Sequence, residues 1–143
     1  MGVFLDTNVV VYAFERSSGE LERTARARGL LHAGGVVSVG VLNEFADVVR
    51  RRIGFSWAET IEALGAIREL TRVMPLVVET HERALAIAQR YGYRIFDALI
   101  IAAALEASCE TLYSEDMQDG QRIAGMTIRN PFGNAHERQR SKV

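Results

Sequence analysis

Four acids stand at places where the surrounding sequence is committed to burial. Asp6 interrupts VFLDTNVVVYAF, Glu44 lies beside Phe45 in SVGVLNEF, Asp97 follows Ile95-Phe96 in FDALIIAAAL, and Asp116 comes just after the strand-like TLYS. An unpaired buried carboxylate costs as much as a small domain has for its whole stability margin. Such acids must therefore be neutralised, or sit where a strand ends and water or a cation can reach them. Carboxylates that converge repel one another and rise in pKa unless a cation is present. An all-oxygen donor set suits Mg²⁺ or Mn²⁺, with much of the coordination left to water and substrate phosphate. The reaction natural to such a site is hydrolysis of a phosphodiester by an activated water, which needs no nucleophilic side chain.

The rest of the chain offers little competing chemistry. His32, His81 and His136 fall on helix surfaces or in the tail, and no Gly-rich loop followed by Lys is present to cradle a nucleoside triphosphate. Each acid also has an ordinary structural use. Asp97 has the position of a helix N-cap, Asp6 and Asn8 that of turn residues, and Asp116 that of a loop or cap residue. Asp119-Gly120 reads as a turn, and Glu44 has Arg94 as a potential ionic partner. These separate uses do not explain why all four acids flank strand ends or helix starts on one edge of the fold.

The elements that must position them follow from periodicity and capping. Val3 to Leu5 is strand-like, and Asp6-Thr7-Asn8 breaks it into a helix. A polar helix from Glu20 to His32 is stopped by Gly34-Gly35, Val36 to Ser38 is a strand, and a helix runs from Gly40 to about Ile53. In that helix Val41, Phe45 and Val48 mark the buried face, and Glu44 is placed on it. Ser56 to Glu59 forms a capping box ahead of Trp57, Ile61, Leu64 and Ile67 at helical spacing. Pro75 to Val78 reads as a strand, Thr80 caps a helix that Gly92 ends, and Asp97 opens a nearly all-apolar helix to Leu105. Thr111 to Ser114 and Met126 to Ile128 are the last strands, with a short helix or loop over Glu115 to Ile123. Strands alternating with helices, without two-residue hairpin signals, predict an α/β fold with a five-stranded parallel sheet covered on both faces. In such sheets the ligand crevice lies at the carboxyl ends of the strands, where Asp6 points.

Composition bounds the answer without choosing it. The chain has 143 residues, 48% of them hydrophobic, and a formal net charge of -1. That is one ordinary soluble domain whose bulk charge favours neither nucleic acid nor membrane. Of its basic residues only Lys142 is lysine, the rest being arginine, which recognises phosphate and carboxylate bidentately. The single cysteine, Cys109, excludes an internal disulfide and fits a reducing cytoplasm. The longest uncharged apolar stretch, Ala98 to Leu105, is too short to span a bilayer, and the N-terminus lacks a basic segment leading into an apolar one. The chain therefore reads as soluble and unexported.

LDTNVVVYAF, SVGVLNEF, FDALIIAAAL and LYSED, in that order, resemble the four acidic motifs of the PIN domain, and the size and spacing look most like a VapC-type toxin of a bacterial toxin–antitoxin pair. The first and third motifs are the specific ones. Length and composition give one domain, over residues 1–130, and the polar residues 131–143 read as a flexible tail; the resemblance implies that the domain is a three-layer α/β/α sandwich. It implies a Mg²⁺- or Mn²⁺-dependent endoribonuclease, usually homodimeric, and a small cognate antitoxin covering the acidic site. Carried over by position, Asp6, Glu44, Asp97 and Asp116 are the catalytic acids, Asp6, Asp97 and Asp116 the metal ligands, and Asn8 the supporting polar residue. The fourth motif departs from the family pattern, so that Asp119 stands beside Asp116 as an alternative acid. Arg50, Arg51 and Arg94 are the candidate RNA contacts, although the run Arg50-Arg51-Arg52 cannot face one way on a helix. Two other readings stand beside this one. A PIN-like module that binds RNA or protein without cleaving has the same motifs. A Mg²⁺-dependent phosphatase of the haloacid-dehalogenase type would need a second Asp where Asn8 stands.

Overall fold

The computed structural model describes residues 2–16 and 21–133. Strand β1 (Gly2–Leu5) runs into helix α1 (Thr7–Ala13), followed by α2 (Leu21–His32), β2 (Gly35–Ser38) and α3 (Val39–Val48). After a π-helical turn (Val49–Ile53) come α4 (Trp57–Leu70), β3 (Thr71–Met74), α5 (Val78–Tyr91), α6 (Ile95–Glu106), β4 (Cys109–Tyr113), β5 (Arg122–Ile123) and β6 (Met126–Arg129).

The strand order is β3-β2-β1-β4-β6-β5, with every pairing parallel except β5 against β6. Phe4 and Leu5 in β1, and Val36 and Val37 in β2, are consecutive buried residues. Neighbours along a strand point to opposite faces, so both faces of the sheet are covered by helices, in the three-layer arrangement. The chain leaves β1 toward β2 and β3, then returns to place β4 on the other side of β1. Crossovers therefore diverge between β1 and β4, which opens a crevice above their carboxyl ends. α6, with Ala98 and the run Ile100 to Ala104 buried, is the central core helix, and α5 packs along it.

Most expected elements are present, and the departures have physical reasons. The sheet has six strands rather than five, because the Glu115 to Ile123 segment forms no helix and instead folds β5 back antiparallel on β6. The third strand is Thr71–Met74, not Pro75–Val78. Its register with Gly35 to Ser38 is complete at Met74, and Pro75 has no N–H with which to continue a ladder. Leu76, Val77 and Val78 are accordingly exposed. α5 begins at Val78, so Thr80 sits inside its first turn, where its hydroxyl accepts from the Val77 N–H and donates to Glu106. α6 begins at Ile95, and Asp97 lies within its first turn instead of capping it. The capping box of Ser56 and Glu59 is formed as expected. Of the expected flexible tail, Pro131 and Phe132 are packed: the Pro131 carbonyl accepts from Arg26, and Phe132 meets Tyr12 edge to face. The remainder, with His136 and Lys142, lies outside the described residues. No described helix is long and apolar enough to cross a membrane.

Candidate active site

Asp6 is held where β1 becomes α1. Its backbone N–H donates to the Tyr113 carbonyl at 3.0 Å, extending the β1–β4 pairing by one residue. Its side chain caps α1, with Oδ1 accepting from the Thr7 N–H at 2.7 Å, while Oδ2 accepts from the Ser114 hydroxyl at 2.7 Å. The residue is 6% exposed. Burial is the main cause that pushes its carboxyl from 3.8 up to about 6, opposed by the bonds from Ser114 and Thr7 and reinforced by the charges of Asp97 and Glu44. The capping role and the crevice position are thus both real for the same residue.

The other three acids reach the same place from separate elements. Asp6, Glu44, Asp97 and Asp116 all line one open cavity of about 540 Å³, together with Asn8, Tyr12, Glu115 and Arg52 among others. The Thr7 hydroxyl donates to Glu44 Oε2 at 2.8 Å, joining α1 to α3. Asn8 donates to Asp116 Oδ2 at 3.1 Å and accepts from the Glu115 N–H at 3.3 Å, so its amide fixes the loop after β4. The Ser114 hydroxyl also accepts from the Asp116 N–H at 3.3 Å. Asp97, half-buried, has its carboxyl raised by burial, with Arg94 pulling it down and Asp116 pushing it up.

Glu44 is placed differently from the expectation that put it on the buried face. Val41 and Phe45 are fully buried, whereas Glu44 is exposed and shares a stripe with Val48 and Arg52 that lines the cavity. The i, i+4, i+8 spacing of those three was available in the sequence. Asp119 is not on the cavity: it accepts from the Asn130 N–H at 2.9 Å and ties the turn before β5 to the residue after β6. Nor do Arg50 and Arg51 line it. Arg50 donates to the Phe55 carbonyl and lies over the Trp57 ring, and Arg51 pairs with Asp47 at 2.8 Å. Tyr12 and Glu115, which sequence reasoning missed, line the cavity: the Tyr12 hydroxyl donates to Glu115 and accepts from Arg23, which is not on the lining.

The family pattern of the PIN domain matches residues 3–124, which spans β1 through β5 and all four acids. The chain belongs to the PIN domain family. Comparison with curated proteins returns no match. Among solved structures, this PIN domain is similar in fold to a chain of a toxin–antitoxin complex from Klebsiella pneumoniae, at 21% identity and a TM-score of 0.67, covering 92% of this chain and 98% of that one. It is similar to VapC20 of Mycobacterium tuberculosis, a toxin that cleaves the sarcin-ricin loop, at 23% identity and a TM-score of 0.66, covering 80% and 90%. It is similar also to a chain of VapBC2 from Rickettsia felis bound to a promoter DNA fragment, at 18% identity and a TM-score of 0.64, covering 91% and 98%.

The donor set of this PIN domain fits a hydrated divalent cation. Every candidate ligand is a carboxylate oxygen, and a buried carboxyl raised to about 6 is one that a cation would stabilise. Among the described residues no three His, Cys, Asp or Glu side chains close into a chelating cage. Mg²⁺ keeps several waters and takes only one or two carboxylates directly, so the remaining acids would reach it through water.

Proposed function

We infer that the protein is a Mg²⁺- or Mn²⁺-dependent endoribonuclease, the toxin of a toxin–antitoxin pair. The observation that carries this reading is the convergence of Asp6, Glu44, Asp97 and Asp116, from different elements, on one cavity at the carboxyl edge of the sheet. The fold relatives support the assignment, since one comes from a toxin–antitoxin complex and another is a toxin that cleaves the sarcin-ricin loop.

Asp6, Asp97 and Asp116 would hold the cation, which when bound supplies Lewis-acid polarisation of the phosphodiester and a more acidic water. Asp6 is ionised at neutral pH and is pre-oriented by two donors, so it needs no reorganisation to serve. Glu44 has one oxygen engaged by Thr7 and the other available to accept a proton from the attacking water. Asn8 keeps Asp116 turned toward the cavity while satisfying the loop backbone. The partners of this reading are a single-stranded or looped RNA, an antitoxin that covers the acidic cavity, a second copy of the chain, and a cytoplasmic setting.

The test is induction of the wild-type chain beside Asp6→Asn in a bacterial host, with total RNA mapped for new ends, followed by assays of both purified proteins with Mg²⁺, Mn²⁺ and chelator. Growth arrest with discrete cuts that require Asp6 and metal is the expected result. A folded wild-type protein, free of any partner, that neither arrests growth nor cuts RNA would make the chain a non-cleaving binding module.

A further inference from the structure

Among the described residues Arg52 is the one basic side chain lining a cavity whose other charged lining groups are Asp6, Glu15, Glu44, Asp97, Glu115 and Asp116. Its neighbours are already used, Arg50 by the Phe55 carbonyl and Arg51 by Asp47. Among the described residues Arg52 itself makes no hydrogen bond and no ion pair within 4.0 Å, although Glu44 lies on its own stripe two turns back. A guanidinium at the edge of an acidic cavity, left without a carboxylate partner, is available for an anion brought from outside.

The local backbone aims it there. Over Val49–Ile53 the helix widens into a π turn, in which the Gly54 N–H donates to the Val49 carbonyl at 2.9 Å and Gly54 takes a left-handed conformation. Four residues slightly overshoot a full turn in an α-helix and fall slightly short of one in a π turn. Arg52 thus stays on the cavity stripe of Glu44 and Val48, whereas Arg50 turns to Phe55 and Trp57 and Arg51 to Asp47. Such π turns occur frequently at functional sites.

Resting on the reading of this cavity as an RNA-cleaving site, the geometry points to Arg52 as the residue that binds a backbone phosphate of single-stranded RNA at the rim of the acidic cavity. The chemistry matches: the guanidinium presents a planar fork of N–H donors to two phosphate oxygens, and it keeps its charge at any working pH. It also answers an electrostatic problem. A polyanion approaching a cavity lined by six carboxylates is repelled, and Arg52 is the fixed charge of opposite sign on the lining itself among the described residues.

The experiment is fluorescence anisotropy of a labelled single-stranded oligoribonucleotide, with Ca²⁺ in place of Mg²⁺ to suppress turnover, over a salt titration. Wild type, Arg52→Ala, Arg52→Lys and Arg51→Ala are compared, each checked by circular dichroism. Arg52→Ala is expected to weaken binding about tenfold and to flatten the log Kd against log salt slope by about 0.7, the loss of one single-strand phosphate contact. Arg52→Lys should keep the slope and lose part of the affinity, and Arg51→Ala should match wild type. Wild-type affinity and slope in a folded Arg52→Ala would overturn the proposal and leave the nuclease reading intact. Wild type that binds no RNA at any salt would overturn both. Arg52-dependent binding by a wild type that cuts nothing with Mn²⁺ would support the proposal and remove the nuclease.

Discussion

The Ser114 hydroxyl donates to Oδ2 of Asp6 at 2.7 Å and so ties the end of β4 to the end of β1 across the point where the strand order reverses. Both residues are buried, and the bond holds down a carboxyl that burial pushes up. Ser114→Ala should therefore raise the Asp6 pKa further and move the acid limb of the pH–rate profile to higher pH. Activity at pH 7 should fall about 10-fold, the usual effect of losing an outer-shell partner, with stability reduced by about 1.5–3 kcal/mol. An unmoved acid limb would show that Asp6 does not titrate in the rate.

Asp6 itself makes stability depend on pH. Its folded value of about 6 lies above the unfolded 3.8, so the unfolded state releases its proton first as pH rises. Relative stability from this group is full below about pH 4, is lost between there and about pH 6, and the deficit of about 3 kcal/mol persists above. Asp6→Asn should abolish RNA cleavage and yet melt at higher temperature than wild type at pH 8, with the difference closing toward pH 4. Calorimetry at both pH values checks this.

A cation binding at Asp6 should offset that same deficit. Mn²⁺ or Mg²⁺ at a hundred times its Kd is expected to raise stability by about 2.7 kcal/mol, or roughly 5–10 °C in Tm for a chain of this size. Asp6→Asn should lose most of the increase. Equal shifts in the two proteins would place the binding elsewhere.

The Thr7 hydroxyl is bonded to Glu44 at 2.8 Å. Thr7→Val is expected to cut kcat about 10-fold while leaving KM and the far-ultraviolet spectrum near wild type, and Thr7→Ser to restore it. Loss of activity in Thr7→Ser would mean that the methyl group matters more than the bond.

Asp116 and Asp119 are separated by function in the same loop. Asp116→Ala removes a cavity carboxylate held by Asn8 and should lower cleavage about 100-fold or more. Asp119→Ala loses only the bond to the Asn130 N–H, so it should lower Tm by a few degrees with activity per folded molecule unchanged.

The parallel sheet and the order of its helices were legible because apolar runs, the Ser56 capping box and the Gly34 and Gly92 stops all work locally. The third strand was displaced because Pro75 to Val78 has strand composition, while the complete ladder from Thr71 to Met74 depends on a partner distant in sequence. Glu44 was assigned to the wrong face for a similar reason. A helix stripe beside Phe45 is buried or open according to what crosses it, and a crevice above the sheet leaves it open. Ser114, Thr7 and Tyr12 were unreadable as site residues because a hydroxyl gives no signal until a fold sets it opposite a carboxylate. Arg52 was legible from its i, i+8 spacing to Glu44 once Glu44 is known to face the crevice, but the π turn that follows Val48 has no local pattern to announce it.

The reversal of strand order between β1 and β4 makes the cleft a matter of chain path rather than of surface carving. Two crossovers that part company leave a gap whatever side chains border it, so substitution can retune the charge, reach and selectivity of the rim without closing the gap. A lineage built on this plan can exchange most of its sequence and keep the same place for a reaction.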